Sequence, residues 1–188
     1  MLQTSLLMLS KINKINFLFV MFVILQSKKG LPFPLSASRS KKYFDLIHVD
    51  VWGPYSISSI LSHKYFFTIV DDYSRYTWVF PLKQKSEVVK ILKNLVVFIQ
   101  TQFEKAIKLI RSDNETEFFI TNFFINKEII HQTSYVNTPQ QNSIVKKKHG
   151  HLINVARVLM IQPQLSKIYW SYLLIHDAHS INMLPALV

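Results

Sequence analysis

Along the chain, short β-branched and aromatic runs give way to stretches whose apolar positions recur every three or four residues. Residues 44–51, 64–70 and 76–82 are rich in Phe, Ile, Val, Tyr and Trp, and each reads as a strand. Gly53-Pro54 closes the first strand, and Asp71-Asp72-Tyr73-Ser74 predicts a tight turn joining the second and third as a hairpin. Residues 86–103 switch to helical spacing, with Val89, Leu92, Val96 and Ile99 on one face and Ser86 as N-cap. A strand over 107–111 follows, and because a helix leads into it, it is expected to run parallel to the first. After it come a short helix over 117–127, a strand over 129–133 and a long helix over 139–160 with Val145, Leu152, Val155 and Leu159 inward. A last helix over 166–184 stops before Pro185. This order predicts an α/β domain with a mixed five-stranded sheet flanked by helices. No internal repeat is present.

Residues 1–42 break the pattern. Phe17 to Leu25 is a nine-residue apolar run between Lys11 and Lys14 on one side and Lys28 and Lys29 on the other. A membrane-spanning helix needs about 20 apolar residues, so the run is too short. It has the outline of a signal peptide, but Gln26-Ser27-Lys28-Lys29 offers no small-residue cleavage site. The expected organisation is an apolar N-terminal extension over 1–30, a basic Pro/Ser linker over 31–42, and a globular domain over 43–188.

Charge narrows the function class. The net charge of +11 favours an anionic partner, nucleic acid ahead of a membrane surface. The chain has no Cys, which excludes a disulfide framework and a thiolate zinc site. Most of the other residues that draw the eye read as structural. Asp71 and Asp72 are hairpin residues with Arg75 as a partner for one of them, and Trp52, Trp78 and Trp170 are packing residues. His48, His131 and His151 lack ligand spacing.

The candidate chemistry lies in Asp50 and Asp113, each at the end of an apolar run. If their strands are neighbours, the two carboxylates could hold divalent ions that activate an attacking oxygen and stabilise the leaving oxygen at a phosphodiester. On spacing alone, the pair reads more readily as ordinary strand-end residues.

The residues around them carry a family resemblance. Leu31-Pro-Phe-Pro-Leu-Ser36, Phe44-Asp-Leu-Ile-His-Val-Asp-Val-Trp-Gly-Pro54 and Thr68-Ile-Val-Asp-Asp-Tyr-Ser-Arg-Tyr-Thr-Trp78 are ordered strings of the kind that mark one family. So are Ile110-Arg-Ser-Asp-Asn114 with Glu117-Phe118, Thr138-Pro-Gln-Gln-Asn142, Asn154-Val-Ala-Arg157 and Ile181-Asn182. From about Leu31 to its end, the chain resembles the integrase catalytic core of copia-type LTR retrotransposons, a branch of the DDE transferases. The resemblance implies a ribonuclease H-like fold within a Pol polyprotein fragment. It also implies Mg²⁺ or Mn²⁺ as cofactor, with Asp50 and Asp113 as metal ligands and catalytic residues. The implied partners are DNA, both element ends and target, and further copies of the chain. No small-molecule substrate and no membrane are implied, and the implied location is nuclear or cytoplasmic.

The chain departs from the family pattern where the third acid should stand. The pattern after Pro-Gln-Gln-Asn is Gly-Val-Val-Glu-Arg-Lys-His, and this chain reads Ser143-Ile-Val-Lys146-Lys147-Lys148-His149. An ammonium has no lone pair for a metal, and a cation there competes with Mg²⁺. Glu117 is the candidate auxiliary acid, but it is not expected to replace the helix acid, because the family already has an acid at that place. Two further departures are Glu115 and Ser143, each standing where the pattern has Gly. If the Gly at 115 takes φ > 0, a side chain there costs about 1 kcal/mol. All three changes can arise from single G-to-A substitutions, the signature of a decayed element copy. Lys146, Lys147, Lys148 and Asn142 are the candidate DNA contacts.

The expectation is therefore an integrase core that binds nucleic acid and is catalytically impaired at Lys146. Its first rival is a catalytically dead DNA-binding remnant. Its second is a small secreted or membrane-associated basic protein, which rests on residues 1–30 alone.

Overall fold

The computed structural model describes residues 39–134, 142–161 and 164–183. The apolar run at 17–25, most of the basic linker, Thr138-Pro139-Gln140-Gln141 and Pro185 lie outside the described residues.

The described elements are β1 (Leu46–Trp52), β2 (Tyr65–Asp71), β3 (Thr77–Leu82), α1 (Glu87–Phe103), β4 (Leu109–Ser112), α2 (Thr121–Asn126), β5 (Ile130–Thr133), α3 (Ser143–Ile161) and α4 (Trp170–Met183). Single 3-10 turns at Thr116–Phe118 and Lys167–Tyr169 precede α2 and α4. The five strands form one sheet in the order β3-β2-β1-β4-β5. β1 pairs with β2, and β2 with β3, in antiparallel fashion, whereas β1 with β4 and β4 with β5 are parallel. The mixed sheet, the hairpin and the parallel return after α1 follow the sequence pattern.

Three local details differ from it. The buried stripe of α1 is Val88, Leu92, Leu95, Val96 and Ile99, so Val88 rather than Val89 faces the core. Ser86 has helical dihedrals (φ −60°, ψ −19°) and makes no capping bond, because an N-cap needs an extended backbone. The Glu87 carboxylate instead reaches back to the preceding loop, accepting from the Lys83 and Gln84 N–H groups at 2.8 and 2.7 Å. The helix expected over 117–127 breaks into a 3-10 turn and α2. Phe119 and Ile120 leave helical geometry between them, with ψ of 61° and 50°, and the pieces are anchored by buried Phe118 and Phe124.

Alternation along β1 sends Ile47, Val49 and Val51 into a core shared with Phe67, Ile69, Ile110 and the α1 stripe. His48, Asp50 and Trp52 therefore point to the opposite face, where Trp52 stacks on Phe66, and α3 packs against β1 and β2. The hairpin turn is fixed by its two acids. Asp71 accepts the Phe44 and Ser74 N–H groups at 2.8 and 2.7 Å, and Asp72 takes Ser40 N–H, Arg75 and His48 at 2.6, 3.1 and 3.2 Å. Burial pushes the Asp72 carboxyl up, but these bonds and the Arg75 charge outweigh it and leave it at about 2.

On the β3 edge, the Asn182 amide of α4 behaves like one residue of a missing strand. It accepts from Thr77 N–H and donates to Thr77 C=O, both at 2.8 Å. Asn182→Ala leaves both backbone groups of buried Thr77 without these partners. A destabilisation of about 1–3 kcal/mol is expected, read as a lower midpoint in urea denaturation. An unchanged midpoint would show that water replaces both bonds.

Candidate active site

The register of β1 and β4 builds the site. Leu46 pairs with Leu109, Ile47 with Ile110 and His48 with Arg111. The offset is the same 63 positions that separate Asp50 from Asp113, so both side chains lie level on one face at the strand ends. They line a cavity of about 390 Å³ together with Val51, Trp52, Lys146, His149, Gly150 and Ile153. β1 thus contributes three of the lining residues, and the first turns of α3 contribute four.

Asp50 is buried. Its Oδ1 accepts the Val51 N–H at 3.0 Å, and the Asp113 carboxyl lies in hydrogen-bonding contact with it. Burial first, then the Asp113 charge and that contact, push the Asp50 carboxyl up to about 7, against the pull of Lys146 and the Val51 N–H. Near neutral pH the Asp50 carboxyl therefore still carries a proton in a sizeable share of molecules. Asp113 Oδ1 also accepts the Glu115 N–H at 3.3 Å.

Lys146 is exposed and opens onto the cavity. Among the described residues no ion pair within 4.0 Å joins it to either Asp, so it acts on Asp50 through space. Lys147 is exposed, while Lys148 is half-buried and its charge reaches Asp177 of α4. Glu117 turns to Lys85, whose Nζ is 3.8 Å from its Oε1. Asn142, just before α3, is fully buried, and its Nδ2 donates to the Val49 carbonyl at 3.3 Å. Glu115 sits at φ −78°, so the left-handed strain considered for that position is not realised.

His149 was not singled out in the sequence except as the end of the charge run. It is buried, its ring lies edge-on to Phe66 with centroids 5.1 Å apart, and its Nδ1 is 3.6 Å from Asp50 Oδ2. Burial, then the Lys146 charge, lower it to about 4, so it is neutral at pH 7. The signal was available, because 145, 149 and 152 form one helix face. Lys85 was also missed, since its partners lie 30 and 32 positions away.

Asp50 and Asp113 supply oxygen donors for a divalent ion, but the set stops there. Among the described residues no group of three His, Cys, Asp or Glu side chains is arranged to hold a metal. With two carboxylates and an exposed ammonium lining the cavity, these residues do not fit the two-ion centre of a phosphoryl-transfer site.

Comparison with known proteins bears on this geometry. An integrase core domain model matches residues 41–139. The chain is similar to the retrovirus-related Pol polyproteins from transposons RE2 and RE1 of Arabidopsis thaliana. Identity is 33% over 156 residues and 32% over 166, covering 82% and 86% of this chain and 11% of each polyprotein. It is also similar to the Pol polyprotein from transposon TNT 1-94 of Nicotiana tabacum, 29% identical over 157 residues, covering 82% of this chain and 12% of that protein. The chain thus spans about a ninth of the length of these relatives. Among solved structures, it superposes on a chain of the simian T-cell lymphotropic virus intasome in complex with PP2A regulatory subunit B56 gamma. The TM-score is 0.62 with 17% identity, covering 80% of this chain and 52% of that one, a likeness of fold alone. That likeness and the sheet order agree with a ribonuclease H-like fold.

Proposed function

Because the chain belongs to the integrase core domain family of retrotransposon Pol polyproteins, we propose that it is a nucleic-acid-binding integrase core whose metal-dependent step is impaired. The observation that carries this reading is the cavity in which Asp50 and Asp113 meet with the exposed Lys146 among its lining residues. Integrase core domains in general depend on a divalent metal. A bound Mg²⁺ or Mn²⁺ would supply Lewis-acid chemistry at a phosphodiester, and Asp50 and Asp113 alone hold it weakly. A proton on Asp50 and the Lys146 cation lining the cavity both oppose metal entry. What remains is a basic surface for element-end and target DNA, with Lys146 and Lys147 exposed beside the cavity. Further copies of the chain are its other expected partners.

The secreted or membrane-associated rival gains nothing from the described residues, where no helix is long and apolar enough to cross a membrane. A nuclear or cytoplasmic location fits the proposed partner.

Two measurements test the reading. DNA binding followed by fluorescence anisotropy should weaken steeply between about 50 and 200 mM salt, with little dependence on sequence, because each phosphate contact releases counterions. The unmodified chain, given Mg²⁺ or Mn²⁺ and an element-end duplex, should show no strand transfer above background. Absent binding at low salt would remove the nucleic-acid half of the proposal, and efficient strand transfer would remove the impaired half.

A further inference from the structure

We propose that Glu115 is an internal competitor for DNA phosphate: it holds the Lys85 ammonium beside Asp113 and so withholds a cation from nucleic acid. The proposal rests on the nucleic-acid reading above and adds to it a residue that limits binding.

Lys85 lies in the loop between β3 and α1. That loop is held by the Glu87 carboxylate, which takes the Lys83 and Gln84 N–H groups. Glu115 lies two residues past Asp113, in extended backbone, with its own N–H on the Asp113 carboxylate. The 3-10 turn after it is anchored by Phe118, fully buried with its ring centroid 6.0 Å from that of Phe67. Both ends of the bridge are thus fixed by contacts other than the bridge itself. The pair is therefore pre-aligned, with Lys85 Nζ 2.5 Å from Glu115 Oε2 and 3.8 Å from Glu117 Oε1. The Glu115 hydrogen bond, and the Glu115, Glu117 and Asp113 charges with it, hold the ammonium firmly protonated against a partial burial that opposes it.

Two carboxylates on one ammonium leave this edge of the site net negative, on a chain whose total charge is +11. A phosphate approaching Asp113 from the α1 side meets that negative charge first. A partly exposed bridge of this kind contributes little to stability, so its effect falls on binding. With Glu115 neutral, only Glu117 at the longer distance remains, and Lys85 can pair with a phosphate.

The test is anisotropy of a labelled duplex across a salt series, with wild type, Glu115→Gln, Lys85→Gln, the double variant and Glu104→Gln. Glu104 stands at the far end of α1 and controls for a generic loss of negative charge. Glu115→Gln should add one phosphate contact, steepening the log affinity against log salt slope by about 0.9. That is roughly a three- to fourfold larger loss between about 50 and 200 mM salt. Lys85→Gln alone should leave the slope as in wild type, and the double variant should return to it. Glu115→Gly should repeat the Glu115→Gln result.

The inference is overturned if Glu115→Gln leaves the slope unmoved or if Glu104→Gln matches it. It is equally overturned if the gain survives in the double variant, or if Lys85→Gln alone flattens the slope. Wild type that fails to bind while Glu115→Gln binds would support the inference and correct only the affinity of the parent chain. Failure of every variant at low salt would overturn both the inference and the nucleic-acid reading.

Discussion

Asp177→Asn should raise the melting temperature at pH 8 by roughly 10–20 °C and leave it nearly unchanged at pH 4. Asp177 is 1% exposed, on the α4 face that packs against α3, and neither of its carboxylate oxygens has a hydrogen-bond partner. Burial pushes its carboxyl from 3.8 up to about 8, only partly opposed by the charge of Lys148. The folded state keeps a proton that the unfolded chain releases near 4. The stability linked to that proton is complete below about pH 4 and is lost as pH rises through 8. A shift of this size corresponds to on the order of 5 kcal/mol at about 1.4 kcal/mol per pH unit. For a domain this long, each kcal/mol moves the melting temperature by roughly 2–4 °C. Asn has nearly the same shape and never ionises, so it removes the loss at pH 8 without a gain at pH 4. Equal shifts at both pH values would show that packing, not ionisation, governs the site.

Asp50, raised to about 7, works in the same direction as Asp177 between about pH 4 and 7. His149, lowered to about 4, works in the opposite one. It contributes stability above its unfolded value of 6.5 that is lost as pH falls through 4. The pH–stability curve of Asp177→Asn should therefore sit higher on its alkaline side, while the acid limb set by His149 stays in place.

Lys146→Glu should tighten Mg²⁺ or Mn²⁺ binding at least about tenfold, and Lys146→Ala should fall between it and the unmodified chain. Reversing a unit charge beside a divalent ion is worth several kcal/mol at the effective dielectric of a partly exposed site, more than the tenfold requires. The Ala variant removes the competing cation but restores no donor, so strand transfer should stay at background. Only Lys146→Glu adds a carboxylate on the α3 turn that lines the cavity with Asp50 and Asp113. Calorimetric titration of the three proteins, with strand transfer in parallel, checks this order. Equal metal affinities would mean that Lys146 does not reach the metal position.

The antiparallel half of the sheet was legible from sequence because β1, β2 and β3 each have their own β-branched and aromatic run. The parallel return of β4 followed from the helix before it. Helix boundaries were less legible where local geometry overrode periodicity: Ser86 took helical dihedrals and made no cap, and Phe118 and Phe124 pinned two pieces of one expected helix. The two acids stood out by their setting in the family motifs. His149 hid in a charge run although helix spacing aims it inward. Asn142 read as polar and therefore accessible, yet it is buried against a strand carbonyl. The Lys85–Glu115 bridge joins two loops, and no periodicity links loops.

The shared 63-position offset of β1 and β4 separates what this site can lose from what it keeps. Insertions or deletions taken up in the loops between Trp52 and Leu109 leave the two carboxylates opposite each other, since ladder pairing, not the intervening chain length, sets their alignment. A slip of one residue between the strands, by contrast, would send one carboxylate through the sheet to the other side. The α3 position has no such lock, because it reaches the cavity by packing and a single codon change there alters the chemistry without disturbing the fold. The aspartates can therefore stay level whatever residue the helix brings to the cavity.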